Sequence, residues 1–159
     1  MKAVVQRAKN ASVRVDNAVT GSIASGLLVY LGVARYDSEK DSEWMAEKIV
    51  NSRIFEDAQG KMNLSLLDII GQEKNTDTTI GVLAVSQFTL LADASKGRRP
   101  YYGEAADPEK ANRLYECFIS KIRERGLICE AGVFQAHMDV TYTNDGPVTI
   151  ILDSPTQRK

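Results

Sequence analysis

The sequence predicts an α+β protein in which a mostly antiparallel sheet curls into a barrel-like core with two main helices. Three observations lead to this fold class. Short apolar or alternating runs typical of strands occur at both ends and in the middle of the chain, two longer segments repeat apolar residues at helical spacing, and turn residues separate these segments. About six to eight strands beside two helices indicate a sheet that curls or closes on itself.

The N-terminal part of the chain predicts a β-meander followed by a central strand. Residues 3–8 and 11–15 have the composition of short strands, and the Asp-Asn pair at 16–17 forms a two-residue turn into a strand over 18–23. The run at 27–33 is nearly all apolar, which is typical of a strand covered on both faces. We therefore expect this run to lie near the centre of the sheet.

Two segments combine helix start signals with a helical repeat of apolar residues. Ser38 followed by Asp41 resembles a capping box, and the apolar positions behind it predict a helix over 39–51. The Asp-Pro-Glu sequence that begins at Asp107 supplies an N-cap, a first-turn proline and an acidic first turn, and the apolar repeat that follows predicts a helix that runs to Arg125. These are the two main helices of the predicted fold.

The rest of the chain returns to strands. Residues 79–91 form the most strand-like run of the middle, although polar side chains interrupt its end. Further strands are predicted over 127–129, 137–143 and 148–152. Since no repeat or linker divides the chain, we expect a single domain over 1–153 with a solvated tail over 154–159.

Composition and charge limit the possible classes of function. With 159 residues and a hydrophobic fraction of 43%, the chain can build one packed core. A net charge of −1 and a pI of about 5.9 provide no global positive field, so any RNA contact must be local. Cys117 and Cys129 are not spaced as a Cys-x-x-Cys pair and indicate no disulfide. We expect no signal peptide and no membrane span, and hence a soluble cytoplasmic protein.

The sequence offers little of the machinery that most hydrolases use. His137 is the single histidine, and the alternation of its strand points it away from the face of Met138, so we expect it to be solvated. A catalytic triad would need this histidine and lacks a nucleophile-elbow motif, a zinc site lacks its Cys and His cluster, and no phosphate-binding glycine motif occurs. We therefore expect neither a metal nor a cofactor.

Polar residues surround Phe88 at the end of the strand-like run over 79–91. Ser86, Gln87 and Thr89 could simply satisfy the backbone where the strand ends. They could also form a small pocket in which hydroxyl groups, an amide and backbone N–H groups hold an ester carbonyl as negative charge develops on it. Both interpretations are open at this point.

A predicted loop downstream joins cations to aromatic residues. Lys96, Arg98 and Arg99 lie within four residues and precede Tyr101 and Tyr102. Basic loops are usually just solvated, but this combination also suits the phosphates and a stacked base at the end of a single-stranded nucleic acid.

The Asn-Asp-Gly-Pro sequence that ends at Pro147 predicts a turn between the last two strands. Proline removes a backbone donor where the second strand should begin, so the hydrogen-bond ladder is interrupted and nearby carbonyls are free to point outwards. On its own the segment predicts a corner between strands. Considered together with the polar residues at 86–89, the segment has a second interpretation, in which its rigid backbone contacts a ligand.

Together, Ser-Gln-Phe-Thr-Leu at 86–90 and Asn-Asp-Gly-Pro-Val-Thr at 144–149 resemble the two motifs of the D-aminoacyl-tRNA deacylases of the bacterial and eukaryotic type. The resemblance covers nearly the full length and includes residues 5–7, 53–55, 60–64 and 95–100. It implies a D-tyrosyl-tRNA deacylase-like fold and an enzyme that hydrolyses the ester bond of D-aminoacyl-tRNA. Glycine mischarged on tRNA is a second implied substrate.

The resemblance also implies how such an enzyme works. It implies a homodimer in which the Gly146–Pro147 peptide bond is cis and the segment enters the partner's active site. Backbone carbonyls there would face the α-carbon of the amino acid, so an L side chain would collide with them whereas a D-residue presents hydrogen. The 2′-hydroxyl of the tRNA would assist hydrolysis, and Thr89 has the best claim to a direct role, with Gln87 and Ser86 beside it.

The remaining site residues follow by position. Arg7 would help to hold the Gly-Pro segment, and Gln135 stands where a smaller residue is more usual in the family. The residues assigned to the pocket for the terminal adenosine and the ester are Phe88, Phe134, Ala136 and Met138. The residues of the basic loop expected to bind tRNA are Lys96, Arg98 and Arg99.

Three other functions are weighed against this one. A related animal editing enzyme removes mischarged L-alanine and has its Gly-Pro unit in trans, but Ser86 and Val148 favour the D-specific branch. A non-catalytic RNA-end-binding module would need only the basic, aromatic loop. A conventional serine esterase is the third.

Overall fold

The computed structural model describes residues 1–72 and 79–158, and strands dominate it. The strands are β1 (Lys2–Val15), β2 (Ala18–Gly32), β3 (Phe55–Glu56), β4 (Met62–Leu64), β5 (Ile80–Ser86), β6 (Ile128–Ala131) and β7 (Asp139–Asp153). The helices are α1 (Glu39–Val50), α2 (Leu66–Gln72) and α3 (Pro108–Arg123), with 3₁₀ turns at Phe88–Leu91 and Pro155–Arg158. None of the helices in these ranges is long and apolar enough to cross a membrane. The predicted α+β class is confirmed.

A five-stranded sheet in the order β6-β5-β2-β1-β7 forms the body of the protein. The long strand β1 pairs antiparallel with β2 and with β7, whereas β5 runs parallel to both β2 and β6. The two longest pairings are therefore antiparallel, and one side of the sheet is parallel. In the part of the chain that the structure describes, β6 and β7 are the edges, so the expected barrel-like closing is not confirmed.

The first two strands are longer than the sequence indicated. The short strands expected over 3–8 and 11–15 are one continuous strand, β1, and those expected over 18–23 and 27–33 are joined in β2. Asn10 and Gly26 have φ angles of 51° and 132°, which mark irregular backbone. The cross-strand pairing nevertheless continues on both sides of these positions, so the irregular residues do not end the strands.

The two main helices begin where their caps predicted. The Asp41 side chain accepts hydrogen bonds from the backbone and the hydroxyl of Ser38, which forms the capping box of α1. The Asp107 side chain accepts from the backbone N–H of Lys110 at 2.9 Å and caps α3. The helices end one or two residues before the expected positions, at Val50 and Arg123.

The segment around Pro147 differs most from its prediction. The expected turn between two strands was wrong, because β7 is one strand whose two halves both run antiparallel to β1. Between the rows of Gln6 and Ala8, Arg7 alone stands opposite residues 145–148. The chain therefore bulges out of the ladder without reversing, and the missing proline N–H falls where pairing is already interrupted.

Apolar side chains pack on both faces of the sheet. Val29 of β2 joins Met45 of α1 and Phe118 of α3 in the main core. Its neighbour Leu28 points to the opposite face, where it packs in a smaller cluster with Leu83 of β5. The centre of β2 is thus covered on both faces, as its apolar run predicted.

The amino group of Met1 connects distant parts of the chain. It is buried and donates to an Asp37 carboxylate oxygen at 2.5 Å and to the Ser154 hydroxyl at 2.6 Å. Burial lowers the pKa of this ammonium group, while the bond to Asp37 opposes the shift. Ser154, the first residue of the expected solvated tail, is therefore buried instead.

Candidate active site

A cavity of about 570 Å³ lies at the carboxyl end of β5. The last ladder bond of that strand runs from the Gln87 N–H to the Leu31 carbonyl at 2.8 Å, and a 3₁₀ turn follows at once. This change of direction leaves the polar residues of the motif at the sheet edge. The predicted pocket residues that line the cavity are Ser86, Gln87, Phe88, Phe134, Ala136 and Met138.

Thr89 does not line this cavity but is tied to a residue that does. The side-chain amide of Gln87 donates a hydrogen bond to the Thr89 hydroxyl oxygen. The hydroxyl hydrogen of Thr89 is therefore directed elsewhere and can be donated to a ligand. Among the described residues no carboxylate or histidine bonds to this hydroxyl, so nothing activates it as a nucleophile. The geometry suits Thr89 as a hydrogen-bond donor.

Tyr115 is a pocket residue that the sequence analysis did not assign to the site. It is buried on α3, and its hydroxyl donates to the Ala84 carbonyl of β5 at 2.9 Å. Its ring centre lies 6.1 Å from that of Phe134, which also lines the cavity. Burial raises the pKa of Tyr115, which keeps the phenol neutral. A tyrosine in an otherwise apolar stripe was the available signal, because its buried hydroxyl needs a partner.

The basic loop starts at the rim of the cavity. Phe88 is 58% exposed, and its ring meets that of Tyr102 edge-on with centres 5.1 Å apart. Asp93 and Tyr101 exchange backbone hydrogen bonds at 2.8 and 2.9 Å, which closes the loop between them. The loop carries the exposed residues Lys96, Arg98 and Arg99. Within the described ranges no carboxylate pairs with these three cations, so their charges face solvent.

His137 is 95% exposed at its side chain, in agreement with the expected solvation. It nevertheless stands at the edge of the cavity, which the sequence analysis did not expect. Its Nε2 lies 3.8 Å from an Asp139 carboxylate oxygen, and both groups are solvated. In the described part of the chain no three His, Cys, Asp or Glu side chains converge as metal ligands would.

The Gly146–Pro147 peptide bond is cis, and Arg7 holds the start of the segment. Arg7 is buried, and its Nε donates to the Asp145 carbonyl at 3.1 Å and lies 3.2 Å from the Asp145 carboxylate. Its Nη1 donates to the Ile54 carbonyl at 3.0 Å, and Nη2 lies 3.4 Å from Glu56. The bulge is therefore connected through one guanidinium group to the chain before and within β3.

A second cation binds the same carboxylate from the surface. Lys9 Nζ lies 2.9 Å from Asp145 Oδ1, and its side chain is exposed. The hydrogen bond from Lys9 and the charges of Arg7 and Lys9 lower the pKa of Asp145. Asp145 thus stays ionised and keeps both partners at neutral pH.

The bulge and the cavity lie at different places on the sheet. Arg7, opposite the bulge, shares a row with Val82, whereas the cavity residue Ser86 shares a row with Ala3. The two rows are four residues apart along the strands, and β7 is three strand spacings from β5. These offsets correspond to a separation of roughly 20 Å. Neither Gly146 nor Pro147 lines the cavity of its own chain.

Comparison with known proteins places this arrangement in a family. A model of the family described as D-Tyr-tRNA(Tyr) deacylase matches residues 4–153. The chain belongs to this family. The resemblance drawn from the two motifs, and the hydrolase class that it implied, are confirmed.

Curated relatives of this deacylase family match over the full length. The chain is 54% identical over 159 residues to a D-aminoacyl-tRNA deacylase of Geotalea uraniireducens, covering 100% of this chain and 97% of the relative. It is 56% identical over 157 residues to a D-aminoacyl-tRNA deacylase of Kosmotoga olearia, covering 99% of each.

Solved structures show the same fold. One, described as the c-Myc DNA Unwinding Element Binding Protein, superimposes with a TM-score of 0.85 at 40% identity, covering 98% of this chain and 99% of that one. Another, described as a probable eukaryotic D-amino acid tRNA deacylase, gives a TM-score of 0.77 at 16% identity, covering 95% and 97%. The predicted deacylase-like fold is confirmed.

Replacing Arg7 should destabilise this deacylase far more than replacing Lys9, although both bind Asp145. Arg7→Met removes a buried cation with several backbone and carboxylate partners, and we expect a loss of roughly 2–4 kcal/mol in the free energy of unfolding. Lys9→Met removes an exposed ion pair and should cost less than about 1 kcal/mol. Urea unfolding at one fixed protein concentration measures both. Equal losses would contradict the assigned role of Arg7.

Proposed function

We propose that this deacylase hydrolyses the ester bond of D-aminoacyl-tRNA, releases the free amino acid and tRNA, and rejects L-amino acids with the backbone at Gly146–Pro147. The observation that carries this proposal is the fixed bulge. Its two central residues are exposed, and Arg7 holds its first residue. Among the described residues no side chain donates a hydrogen bond to the Gly146 or Pro147 carbonyl, so both are available to face a ligand.

Backbone carbonyls can distinguish the two enantiomers of an amino acid without recognising the identity of its side chain. An oxygen placed against the α-carbon leaves room for hydrogen but not for a β-carbon. An L-residue would direct its β-carbon at these oxygens, whereas a D-residue would direct hydrogen there. The same selection applies to every side chain and does not exclude glycine. Mischarged glycyl-tRNA is therefore a second proposed substrate.

A homodimer is part of this proposal. The separation of roughly 20 Å between the bulge and the cavity keeps the Gly146–Pro147 segment away from the pocket of its own chain. A two-fold pair of chains would let each segment enter the other's cavity, because an isologous contact repeats itself on both sides. The edge strand β7 supports this arrangement, since it carries the segment and also Ile151, which is 66% exposed.

The cavity and the basic loop suit the unpaired end of a tRNA. A volume of about 570 Å³ with apolar and aromatic walls is in the range of small-molecule sites and would hold the terminal adenosine with its ester. Phe88 and Tyr102 offer aromatic surface at the rim, and Lys96, Arg98 and Arg99 would bind the phosphates beyond it.

Both cysteines are unpaired, which fits the reducing cytoplasm that we propose as the compartment.

The chemistry that we propose relies on the tRNA as well as on the protein. Water attacks the ester carbonyl carbon, the bond to the 3′-oxygen breaks, and the proton of the water passes to that oxygen through the neighbouring 2′-hydroxyl. Ser86, which lines the cavity, donates a hydrogen bond to the carbonyl oxygen as it becomes negative, and Thr89, which Gln87 holds beside the cavity, donates a second one. His137 is solvated and none of the described residues activates Thr89, which supports a mechanism in which the tRNA hydroxyl, rather than a protein side chain, transfers the proton.

The proposed function predicts a large preference between the two hands of one amino acid. Single-turnover release of tyrosine from D-tyrosyl-tRNA should be at least about a hundredfold faster than from L-tyrosyl-tRNA, since a clash of about 3 kcal/mol corresponds to that factor. Glycyl-tRNA should also be cleaved. Equal rates for both hands would contradict the proposal. Binding without hydrolysis would favour an RNA-end-binding module, and preferential release of L-alanine would favour the related editing activity.

The 2′-hydroxyl mechanism predicts that a tRNA ending in 2′-deoxyadenosine, with the D-amino acid on the 3′-oxygen, binds but is cleaved slowly. Loss of general acid-base assistance should lower the single-turnover rate by on the order of a hundredfold or more. His137→Ala is the control on the protein side and should leave the rate nearly unchanged. Thr89→Ala should lower it less than loss of a nucleophile would.

Normal cleavage of the deoxy substrate would show that the protein supplies the catalytic group. Complete loss of activity in a folded, dimeric His137→Ala variant would have the same meaning and would assign acid-base chemistry to this residue.

A further inference from the structure

A chain of polar side chains holds the second end of the bulge. The Asn144 side-chain oxygen accepts a hydrogen bond from the Val148 N–H at 3.1 Å, and its amide nitrogen donates to the Thr149 hydroxyl oxygen at 3.0 Å. The same hydroxyl oxygen accepts from Gln6 of β1 at 3.0 Å. Tyr142 in turn donates to the side-chain oxygen of Gln6 at 2.7 Å. The bulge is thus connected by side chains to both β1 and β7.

These bonds replace the ladder that the bulge interrupts. Residues 145–148 have only Arg7 opposite them on β1, so regular pairing cannot fix their backbone. The Asn144 side chain spans the gap by bonding to the backbone N–H four residues later, and so it closes the bulge into a loop of fixed size. Thr149 and Gln6 fix the orientation of the Asn144 amide.

The two anchors act at different ends. Arg7 binds Asp145 before the Gly-Pro unit, and Asn144 binds the Val148 N–H after it. A segment held only at its first end could rotate about that end, and a shift of about 1 Å in its carbonyls matters because reactive and contact geometry is lost over that distance. We therefore expect that the segment must be held by both anchors to exclude the β-carbon of an L-residue. A D-residue, which presents only hydrogen to the segment, can bind without this precision.

We propose that Asn144, supported by Thr149 and Gln6, is a positioning residue that determines the strictness of chiral selection. The inference rests on the proposed function and states how its selectivity between D- and L-residues depends on Asn144. Loosening the second anchor raises hydrolysis of L-aminoacyl-tRNA and leaves hydrolysis of D-aminoacyl-tRNA nearly unchanged. The segment excludes the wrong hand and contributes little to the reaction of the right one.

The test compares four variants of the full chain. Asn144→Ala removes both bonds of the side chain, and Thr149→Val removes the hydroxyl that accepts from both Asn144 and Gln6 while keeping the shape. Asn144→Asp is the conservative variant, because its carboxylate still accepts from the Val148 N–H and the Thr149 hydroxyl can turn to donate to it. Thr141→Val is the matched control, an exposed threonine on the same strand that is outside the network.

Single-turnover release from D- and L-tyrosyl-tRNA gives the first measurement. Asn144→Ala should lower the D-to-L rate ratio by on the order of tenfold, the equivalent of one hydrogen bond, through a faster L reaction. The D rate should stay within about twofold. Thr149→Val should shift the ratio in the same direction, while Asn144→Asp and Thr141→Val should retain it. If Asn144→Ala does not fold, Thr149→Val and Asn144→Asp decide the result.

Amide hydrogen exchange at Val148 gives a measurement that does not depend on activity. Asn144→Ala should accelerate exchange at this amide, and Thr141→Val should not. Unchanged exchange would overturn the anchor itself. Faster exchange with an unchanged rate ratio, or equal losses of the D and L rates, would reduce Asn144 to a structural residue. If the unsubstituted protein does not discriminate between D and L, the proposed function fails, but the exchange result still decides whether the anchor exists.

Discussion

The interruption of the hydrogen-bond ladder between β1 and β7 is the constraint on which the rest of the structure depends. Pro147 has no backbone donor, and Arg7 alone stands opposite residues 145–148. Backbone that leaves a ladder must find other partners, because unpaired polar groups are costly when they are removed from water. Arg7 supplies them at the first end of the bulge, and Asn144 at the second. The result is an exposed segment of backbone with a fixed shape.

The position of this segment in the sheet determines which parts of the protein it can contact. The cavity forms where the parallel side of the sheet ends at Ser86, and the bulge forms on the antiparallel edge strand several rows away. One chain therefore carries both parts of the proposed site at separate places, and we propose that a second copy of the chain brings them together. The pocket itself needs few reactive side chains in this account. In the mechanism that we propose, its polar residues position and stabilise the reacting groups, and the tRNA supplies the hydroxyl group that moves the proton.

The sequence predicted the class of the fold, and a set of residues that line one cavity, more accurately than the path of the backbone. Helix caps and the apolar run of β2 are local signals, so their consequences were predicted correctly. The turn at Pro147 was wrong because glycine and proline signal an interrupted strand, but the continued pairing with β1 is a tertiary property. Tyr115 was missed as a pocket residue because helical spacing indicates burial without revealing the cavity on its other side.

The central claim is that the bulge of one chain completes the cavity of another, and mixed dimers test it most directly. One chain would carry Ala136→Trp, which fills the cavity, and the other would carry Gly146→Ala with Pro147→Ala, which disrupts the segment. Neither homodimer should show selective hydrolysis of D-tyrosyl-tRNA. Mixed dimers, purified by two different tags, should regain it, because an intact cavity then faces an intact segment. A mixture that shows no D-selective hydrolysis, in dimers that form and fold, would contradict the account.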